Sequence, residues 1–405
     1  MRHLHGRPIK RRLWALVALE FLFGIVYGTF SLTLPILAES IFVNLAVLGV
    51  VFALPEILGT VIDVPVGEFA KRFGRRKTIF YSGAMLAISS LAFIALRNPF
   101  FFVAALVFYE IATQSFIIPG DAEETALTPA GSTGRFNSFL EGFHNLGFSI
   151  GPIAAGVVIG VQLEYAFLIT FAVSLCMMVL SYVSLPMEKN HEGFRRSLLD
   201  LVTRDKFFKT GFSEFARLGF EGVFVAFIFF VFALHWGFIA IAEPLYTKGL
   251  GLEEFQIGLI YAGFTLPIFF MSLIVGRYLD RKSAKGITVA GLLLHALSAF
   301  GFSLTASPAL LLVLGLVSGV GDALILPAIF TMFDRLSSHH KKEYVSGIKM
   351  FGESLGYFVG PLIGGVVAYY FGFGAAFSVL GGFLLFLTLV TALVPLRVAQ
   401  PLLRV

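Results

Sequence analysis

Ionisable side chains stand inside long apolar stretches of this 405-residue chain. A charge at the centre of a lipid bilayer costs about 2.5–3.5 kcal/mol, so such groups usually serve a function or pair with one another. A carboxylate or an imidazole in that setting can carry a proton or hold a polar ligand. The candidates for substrate binding or proton coupling are Glu20, Glu110, Glu141, His144, His235, Asp322, Lys349 and Glu353.

Two pairs of these candidates have the spacing of neighbours on one helix face. Glu141 and His144 are three residues apart, and Lys349 and Glu353 are four apart. They could form a proton relay or a cytoplasmic gate, or two intrahelical pairs that neutralise themselves. A third interpretation pairs Lys349 with Asp63, in a contact that closes one side of the molecule and breaks when it opens.

The composition places these residues in a membrane protein. Hydrophobic residues make up 57% of the chain and charged residues only 14%, against about 25% in soluble domains. This excludes a soluble enzyme, a disordered chain and a coiled coil, and it argues against a nucleic-acid partner. The single cysteine, Cys176, excludes an internal disulfide. We find no spacing typical of a metal site, a P-loop or a nucleophile elbow, and therefore expect no enzyme activity, metal or cofactor. His295 stands alone in its span and is expected to be a hydrogen-bonded neutral histidine.

The elements that must hold these residues are membrane-crossing helices. A crossing needs about 20 mostly apolar residues, and only helices satisfy every backbone group in hydrocarbon over such lengths. The sequence predicts an all-α membrane protein with twelve spans, at residues 13–38, 44–70, 78–96, 100–126, 136–160, 163–186, 220–247, 254–276, 287–306, 308–333, 345–371 and 373–396. Nearly all of the 30 Lys and Arg fall in alternate connections or at the ends. This predicts a multi-pass protein of the plasma membrane with both termini in the cytoplasm.

An internal repeat divides the chain into two pseudo-symmetric six-helix halves. At an offset of 209 residues, glycine meets glycine and proline meets proline more often than composition predicts. The matched pairs include Gly28 with Gly237, Pro35 with Pro244, Gly147 with Gly356, Gly151 with Gly360, Pro152 with Pro361 and Gly156 with Gly365. We predict an N-terminal half at 1–186, a cytoplasmic linker at 187–219 and a C-terminal half at 220–405.

Most of the candidate ionisable residues break this repeat. Glu20 is opposite Phe229, and Glu110 is opposite Gly319. Residues that build the shared scaffold repeat, whereas a site formed between two unlike halves would not. The asymmetry therefore favours a functional interpretation of these groups.

Two motifs resemble those of the major facilitator superfamily. Residues 67–76 read GEFAKRFGRR, which is similar to that family's Gly-x-x-x-Asp-Arg-x-Gly-Arg-Arg loop, and 276–282 read GRYLDRK in the second half. Lys71 stands where the family has Asp, so Asp63 or Glu68 would have to substitute in the first copy. Residues 147–156 and 356–365 resemble the family's Gly-x-x-x-Gly-Pro-x-x-Gly-Gly pattern, which in span five is similar to that of proton-exchanging exporters.

The resemblance implies a fold and assigns residues to roles. It implies alternating access between two halves and a central cavity lined by spans one, four, seven and ten, which carry Glu20, Glu110, His235 and Asp322. The residues it gives a gating or conformational role are Asp63, Gly67, Arg72, Gly74, Arg75, Arg76, Asp280, Arg281, Gly147, Gly151, Pro152, Gly156, Gly356, Gly360 and Pro361.

The function expected from these observations is secondary active transport of a small solute. We expect proton-coupled export of a lipophilic or amphipathic compound, driven by the proton gradient, by a monomer in the lipid bilayer. One alternative is a symporter or uniporter that imports a small polar nutrient. Another is a receptor or scaffold that transports nothing.

Overall fold

The computed structural model describes residues 7–95, 97–127, 133–186, 219–279, 283–337 and 342–396. Throughout these ranges the regular elements are α-helices, as the sequence predicts, so the backbone polar groups inside each helix are satisfied within that helix. The helices are α1 (Arg7–Ile41), α2 (Leu45–Phe73), α3 (Arg75–Ala95), α4 (Pro99–Leu127), α5 (Thr133–Ile159), α6 (Leu163–Ser184), α7 (Gly219–Gly249), α8 (Glu254–Leu279), α9 (Ala284–Leu304), α10 (Pro308–Ser337) and α11 (Lys342–Leu393).

The longest helix, α11, contains two crossing segments. Its apolar stretch, Gly352–Leu393, has 42 residues, about twice the length that a hydrocarbon core of about 30 Å requires. Within it Gly372 has φ 81° and ψ 162°, a backbone conformation that glycine adopts without steric cost. The break falls between the predicted spans 345–371 and 373–396. Together with the other ten helices, each of which is long and apolar enough to cross a membrane, this confirms twelve spans.

Helix starts follow from local sequence. Pro99 and Pro308, which the repeat aligns, are the first residues of α4 and α10. Proline suits that position because the first N–H groups of a helix have no intrahelical partner. Asn98 accepts the backbone N–H of Phe100 at 3.0 Å, and Asn44 accepts that of Ala46 at 2.8 Å, so each caps the helix that follows it.

The described helices form two compact units. Unit one contains α1, the part of α2 from Leu58 onward, and α3 to α6. Unit two contains α2 up to Ile57 together with α7 to α11. The units are defined by which helices pack together, and this divides α2 between them. The division of the chain into halves at 1–186 and 220–405 stays a prediction. The predicted linker 187–219 lies outside the described residues except for Gly219.

The repeated glycines are places where two backbones meet. In unit one, a Cβ on Gly147 would lie 2.1 Å from the carbonyl oxygen of Phe21, where α5 crosses α1. In unit two, a Cβ on Gly356 would lie 2.4 Å from the carbonyl oxygen of Phe230, where α11 crosses α7. Glycine is therefore required at both crossings, because any side chain would push the helices apart. The same type of close helix crossing at glycine thus occurs within each unit.

Candidate functional site

The first polar pair in unit one joins α1 and α5. Nδ1 of His144 lies 3.2 Å from Oε2 of Glu20, and both side chains are largely buried. The close crossing at Gly147, one turn beyond His144, holds the two helices near enough for this contact. Glu141 accepts a hydrogen bond from Nδ2 of Asn145 at 2.9 Å. His144 is thus paired with the carboxylate of α1, not with Glu141 of its own helix.

A second carboxylate of unit one lies deeper. Glu110 of α4 is buried, and its Oε1 accepts a hydrogen bond from Nε2 of Gln114 at 2.8 Å. Gly59 of α2 leaves room for this oxygen, since a Cβ there would come within 2.8 Å of it. Asp63, one turn beyond Gly59, interacts electrostatically with Glu110 and has a buried Oδ1 with no hydrogen-bond partner among the described residues. Asp63 of α2 and Glu110 of α4 are therefore close enough to influence each other, and the structure describes no cationic partner for Glu110.

The charged motif at 67–76 is tied to α4 by a buried acid. Glu123 accepts from Nη2 of Arg12 at 2.6 Å, and its other oxygen lies 3.3 Å from Nη1 of Arg75. The backbone carbonyl of Ala122 also accepts from Arg75 at 2.9 Å. The carboxylate that pairs with this motif's Arg75 is thus Glu123, whereas Glu68 forms an exposed pair with Lys71 at 2.8 Å.

The other residues of this motif occupy the turn and its surface. Gly74 connects α2 to α3 with φ 89°, which glycine tolerates. The guanidinium of Arg76 lies 4.6 Å from the ring centre of Tyr182, and that of Arg72 lies 5.2 Å from the ring centre of Phe73. Both are cation–π contacts, which at exposed sites contribute about 0.5–1 kcal/mol each.

Unit two holds a buried polar cluster at the middle of three helices. We call His235 of α7, His295 of α9 and Asp322 of α10 the His–His–Asp cluster; all three are at most 2% exposed. Nε2 of His235 lies 2.8 Å from Nδ1 of His295, and Nε2 of His295 lies 3.2 Å from Oδ1 of Asp322. The expectation of a hydrogen-bonded His295 agrees with this geometry, but His295 is not isolated.

Two further side chains complete the cluster. Nε1 of Trp236 donates to Oδ1 of Asp322 at 3.0 Å. The hydroxyl oxygen of Ser318 lies 3.3 Å from Nε2 of His235 and 3.2 Å from Nδ1 of His295. The cluster therefore has its own layer of supporting hydrogen bonds.

Sequence reasoning missed Glu243 of α7. This residue is fully buried, and neither carboxylate oxygen has a hydrogen-bond partner in the part of the chain that the structure describes. It lies inside the predicted span 220–247, which α7 matches closely, but it is not among the candidates named from the sequence. The repeat could have found it, because the 209-residue offset places Leu34 opposite Glu243.

Several predicted residues cannot be placed. Asp280 and Arg281 lie outside the described residues, and so does the side chain of Lys349. Its proposed pairs with Glu353 and with Asp63 therefore stay predictions. Glu353 itself is partly buried in α11.

Comparison with known proteins identifies the class to which this fold belongs. The sequence profile of the Major Facilitator Superfamily matches residues 16–224 and 225–403, which together are nearly the whole chain. The chain belongs to this family. It is accordingly a multi-pass membrane transporter for small molecules and not an enzyme.

Individual relatives are more distant. Quinolone resistance protein NorA of Staphylococcus aureus is 29% identical over 141 residues, which are 35% of this chain and 36% of that protein. Multidrug resistance protein 1 of Bacillus subtilis is 28% identical over 165 residues, 40% of this chain and 42% of that protein. The matched region thus spans well under half the length of these relatives.

Solved structures confirm the fold. The human organic anion transporter MFSD10 (TETRAN) has a TM-score of 0.67 at 16% identity, over 95% of this chain and 100% of that one. The nucleoside transporter NupG has a TM-score of 0.68 at 15% identity, over 94% and 98%. Similarity at this level of identity concerns the fold and not the substrate.

Proposed function

We propose that this protein exports lipophilic or amphipathic compounds in exchange for protons. The observation that carries the proposal is the buried carboxylate of Glu110, inside a membrane span and hydrogen-bonded to neutral Gln114. An ionisable group at such a depth is costly and is functional by default. In a transporter, a carboxylate that is reached alternately from the two sides of the membrane can carry a proton one way while the solute moves the other way.

Two neighbouring acids support this role for Glu110. Asp63 has a buried oxygen with no described hydrogen-bond partner and interacts electrostatically with Glu110. Glu20 is paired with His144, whose imidazole can itself exchange a proton. We assign Glu110 as the proton carrier, with Asp63 and the Glu20–His144 pair as groups that tune or relay its proton.

The export direction and the type of substrate rest on similarity. The named relatives are a quinolone resistance protein and a multidrug resistance protein. The motif at 147–156, with its close α1–α5 crossing, resembles that of proton-exchanging exporters of the family. These two similarities favour export over the import of a polar nutrient.

Transport into proteoliposomes tests the proposal. An imposed proton gradient should drive members of a panel of amphipathic dyes and drugs in the direction opposite to the protons, and a protonophore should abolish the movement. Glu110→Gln should keep solute exchange down its own gradient but lose the drive by protons. Glu68→Gln, at the exposed Lys71 pair, is the matched control and should behave as the wild type.

Each alternative has its own outcome in this experiment. Solute movement in the same direction as the protons would replace export by symport. No movement of any panel compound would favour a receptor or scaffold. Unchanged proton drive in Glu110→Gln would remove Glu110 as the carrier.

A further inference from the structure

We propose that the His–His–Asp cluster of unit two is a binding site for one divalent transition-metal ion of the Zn²⁺, Co²⁺ or Ni²⁺ class. Each of its three residues offers one ligand atom, and these atoms lie within 4.8 Å of one another. Two imidazoles and a carboxylate are a ligand set that such ions prefer, whereas Mg²⁺ and Ca²⁺ prefer oxygen ligands alone. This inference goes beyond proton-coupled export and does not depend on it.

The distances require only a local adjustment to hold an ion. Ligand atoms bound to tetrahedral zinc at about 2.0–2.1 Å are about 3.3 Å from one another. Nε2 of His295 and Oδ1 of Asp322 are already 3.2 Å apart. The hydrogen bond of 2.8 Å between His235 and His295 would break, and the imidazole nitrogen that it releases would become a ligand. The change that an ion requires is thus confined to side chains that already contact one another.

Unpaired atoms give an independent reason to expect a ligand. Nδ1 of His235, Nε2 of His295 and Oδ2 of Asp322 are all buried, and none has a hydrogen-bond partner among the described residues. The contact of His295 with Oδ1 of Asp322 is short, but it lacks hydrogen-bond geometry. Buried polar atoms without partners are uncommon in folded proteins, and each one needs an explanation. A single cation bound through Nε2 of His295 and Oδ2 of Asp322 would satisfy two of these three atoms.

Charge supports the same conclusion. Among the described residues, Asp322 forms an ion pair with His295 and with no Lys or Arg. A buried carboxylate without a strong cationic partner is unfavourable. A divalent cation would supply the missing positive charge at the centre of the cluster.

The surrounding hydrogen bonds are of the kind that orient metal ligands. Trp236 donates to Oδ1 of Asp322 and leaves Oδ2 available to an ion. Ser318 contacts Nδ1 of His295, the ring nitrogen opposite Nε2, and can fix the orientation of this imidazole. In metal sites such outer contacts set the direction of the ligands, and their loss weakens binding by about 10–100-fold.

No spacing in the sequence could indicate this site. His235, His295 and Asp322 are separated by 60 and 27 residues and come from α7, α9 and α10. Only the packing of these three helices within unit two brings the residues together. This is why a search for short metal-binding motifs finds nothing here.

Metal binding to the purified full-length protein tests the proposal. The five histidines outside the described residues, His3, His5, His191, His339 and His340, are first changed to Gln, and the affinity tag is one without histidine. After treatment with EDTA, Zn²⁺ binding is measured by calorimetry, and Co²⁺ binding by visible absorption, which reports the ligand geometry. We expect one ion per chain with a low-coordinate Co²⁺ spectrum.

Variants in this background decide whether the cluster is the site. His235→Gln, His295→Gln and Asp322→Asn should each weaken binding by at least about 10-fold, and Trp236→Phe by about 10-fold. His144→Gln is the matched control, because His144 is also a largely buried histidine paired with a carboxylate, but in unit one. It should bind as tightly as the parent protein.

Three results would overturn the proposal. They are no binding by the parent protein, equal binding by the cluster variants, and loss of binding in His144→Gln. Asp322→Glu keeps a carboxylate and should therefore retain Co²⁺ binding with an altered spectrum. It tests the site even where the other variants fail to fold. Size-exclusion profiles that match the parent confirm that each variant is folded.

Discussion

Unit one and unit two pair their buried acids to different extents. In unit one Glu123 binds two arginines, Glu20 contacts His144 and Glu110 accepts from Gln114, whereas Asp63 keeps one buried oxygen without a partner among the described residues. In unit two Asp322 has one unpaired oxygen and Glu243 has two, among the residues that the structure describes. Because the two units share the same glycine crossings, the difference lies in the polar residues and not in the scaffold.

This contrast separates buried acids that stabilise the fold through ion pairs from buried acids that can bind a proton or a ligand. A buried acid with cationic partners stabilises the fold, and its removal leaves those cations without compensation. A buried acid without a partner costs stability and is retained for another reason, such as a proton or a ligand. Opposite effects of the same substitution in the two units would establish the distinction.

The largest effect is expected at Glu123. Glu123→Met leaves Arg12 and Arg75 without their shared carboxylate and should lower the free energy of unfolding by about 3 kcal/mol. The measurement is thermal or SDS-induced unfolding of the purified protein. Glu68→Met, which removes an exposed pair with Lys71, should cost about 1 kcal/mol or less. Equal losses for the two variants would show that Glu123 is not a structural anchor.

A smaller effect, equal in the two units, is expected at the repeated glycines. Gly147→Ala and Gly356→Ala each place a Cβ against a backbone carbonyl oxygen, at 2.1 Å and 2.4 Å, and should each lower stability by about 2 kcal/mol. Gly249→Ala is the control, since nothing lies within 4 Å of its Cβ position. A loss at only one of the two crossings would contradict a shared scaffold.

The smallest effect has the opposite sign and belongs to unit two. Glu243→Met replaces two unpaired buried oxygens with an apolar side chain of similar size and should raise stability by about 1 kcal/mol. Parallel unfolding curves for this variant and Glu123→Met provide the measurement. If both substitutions destabilise the protein, Glu243 has a stabilising partner and the contrast between the units fails.

The sequence predicts where the helices lie, but it does not predict which residues their polar side chains contact. Apolar length located every described helix within a few residues, including the break at Gly372 inside α11. The repeat singled out Gly147 and Gly151, and both lie where α5 packs against the backbone of α1. It could not reveal that His144 faces Glu20, or that His295 meets His235, because those contacts depend on how separate helices pack. Glu243 lies inside its predicted span, so its depth was accessible from the sequence, but its lack of a partner among the described residues depends on packing.

Substrate-induced proton release tests the central assignment most directly. In a weakly buffered detergent solution with a pH indicator, addition of a transported compound to the proton-loaded protein should release protons, because solute and proton exchange at one site. Release is expected from the wild type and from Glu68→Gln, and none from Glu110→Gln, although this variant should still bind the compound. Release from Glu110→Gln equal to that of the wild type, or binding by the wild type without release, would contradict proton exchange at Glu110.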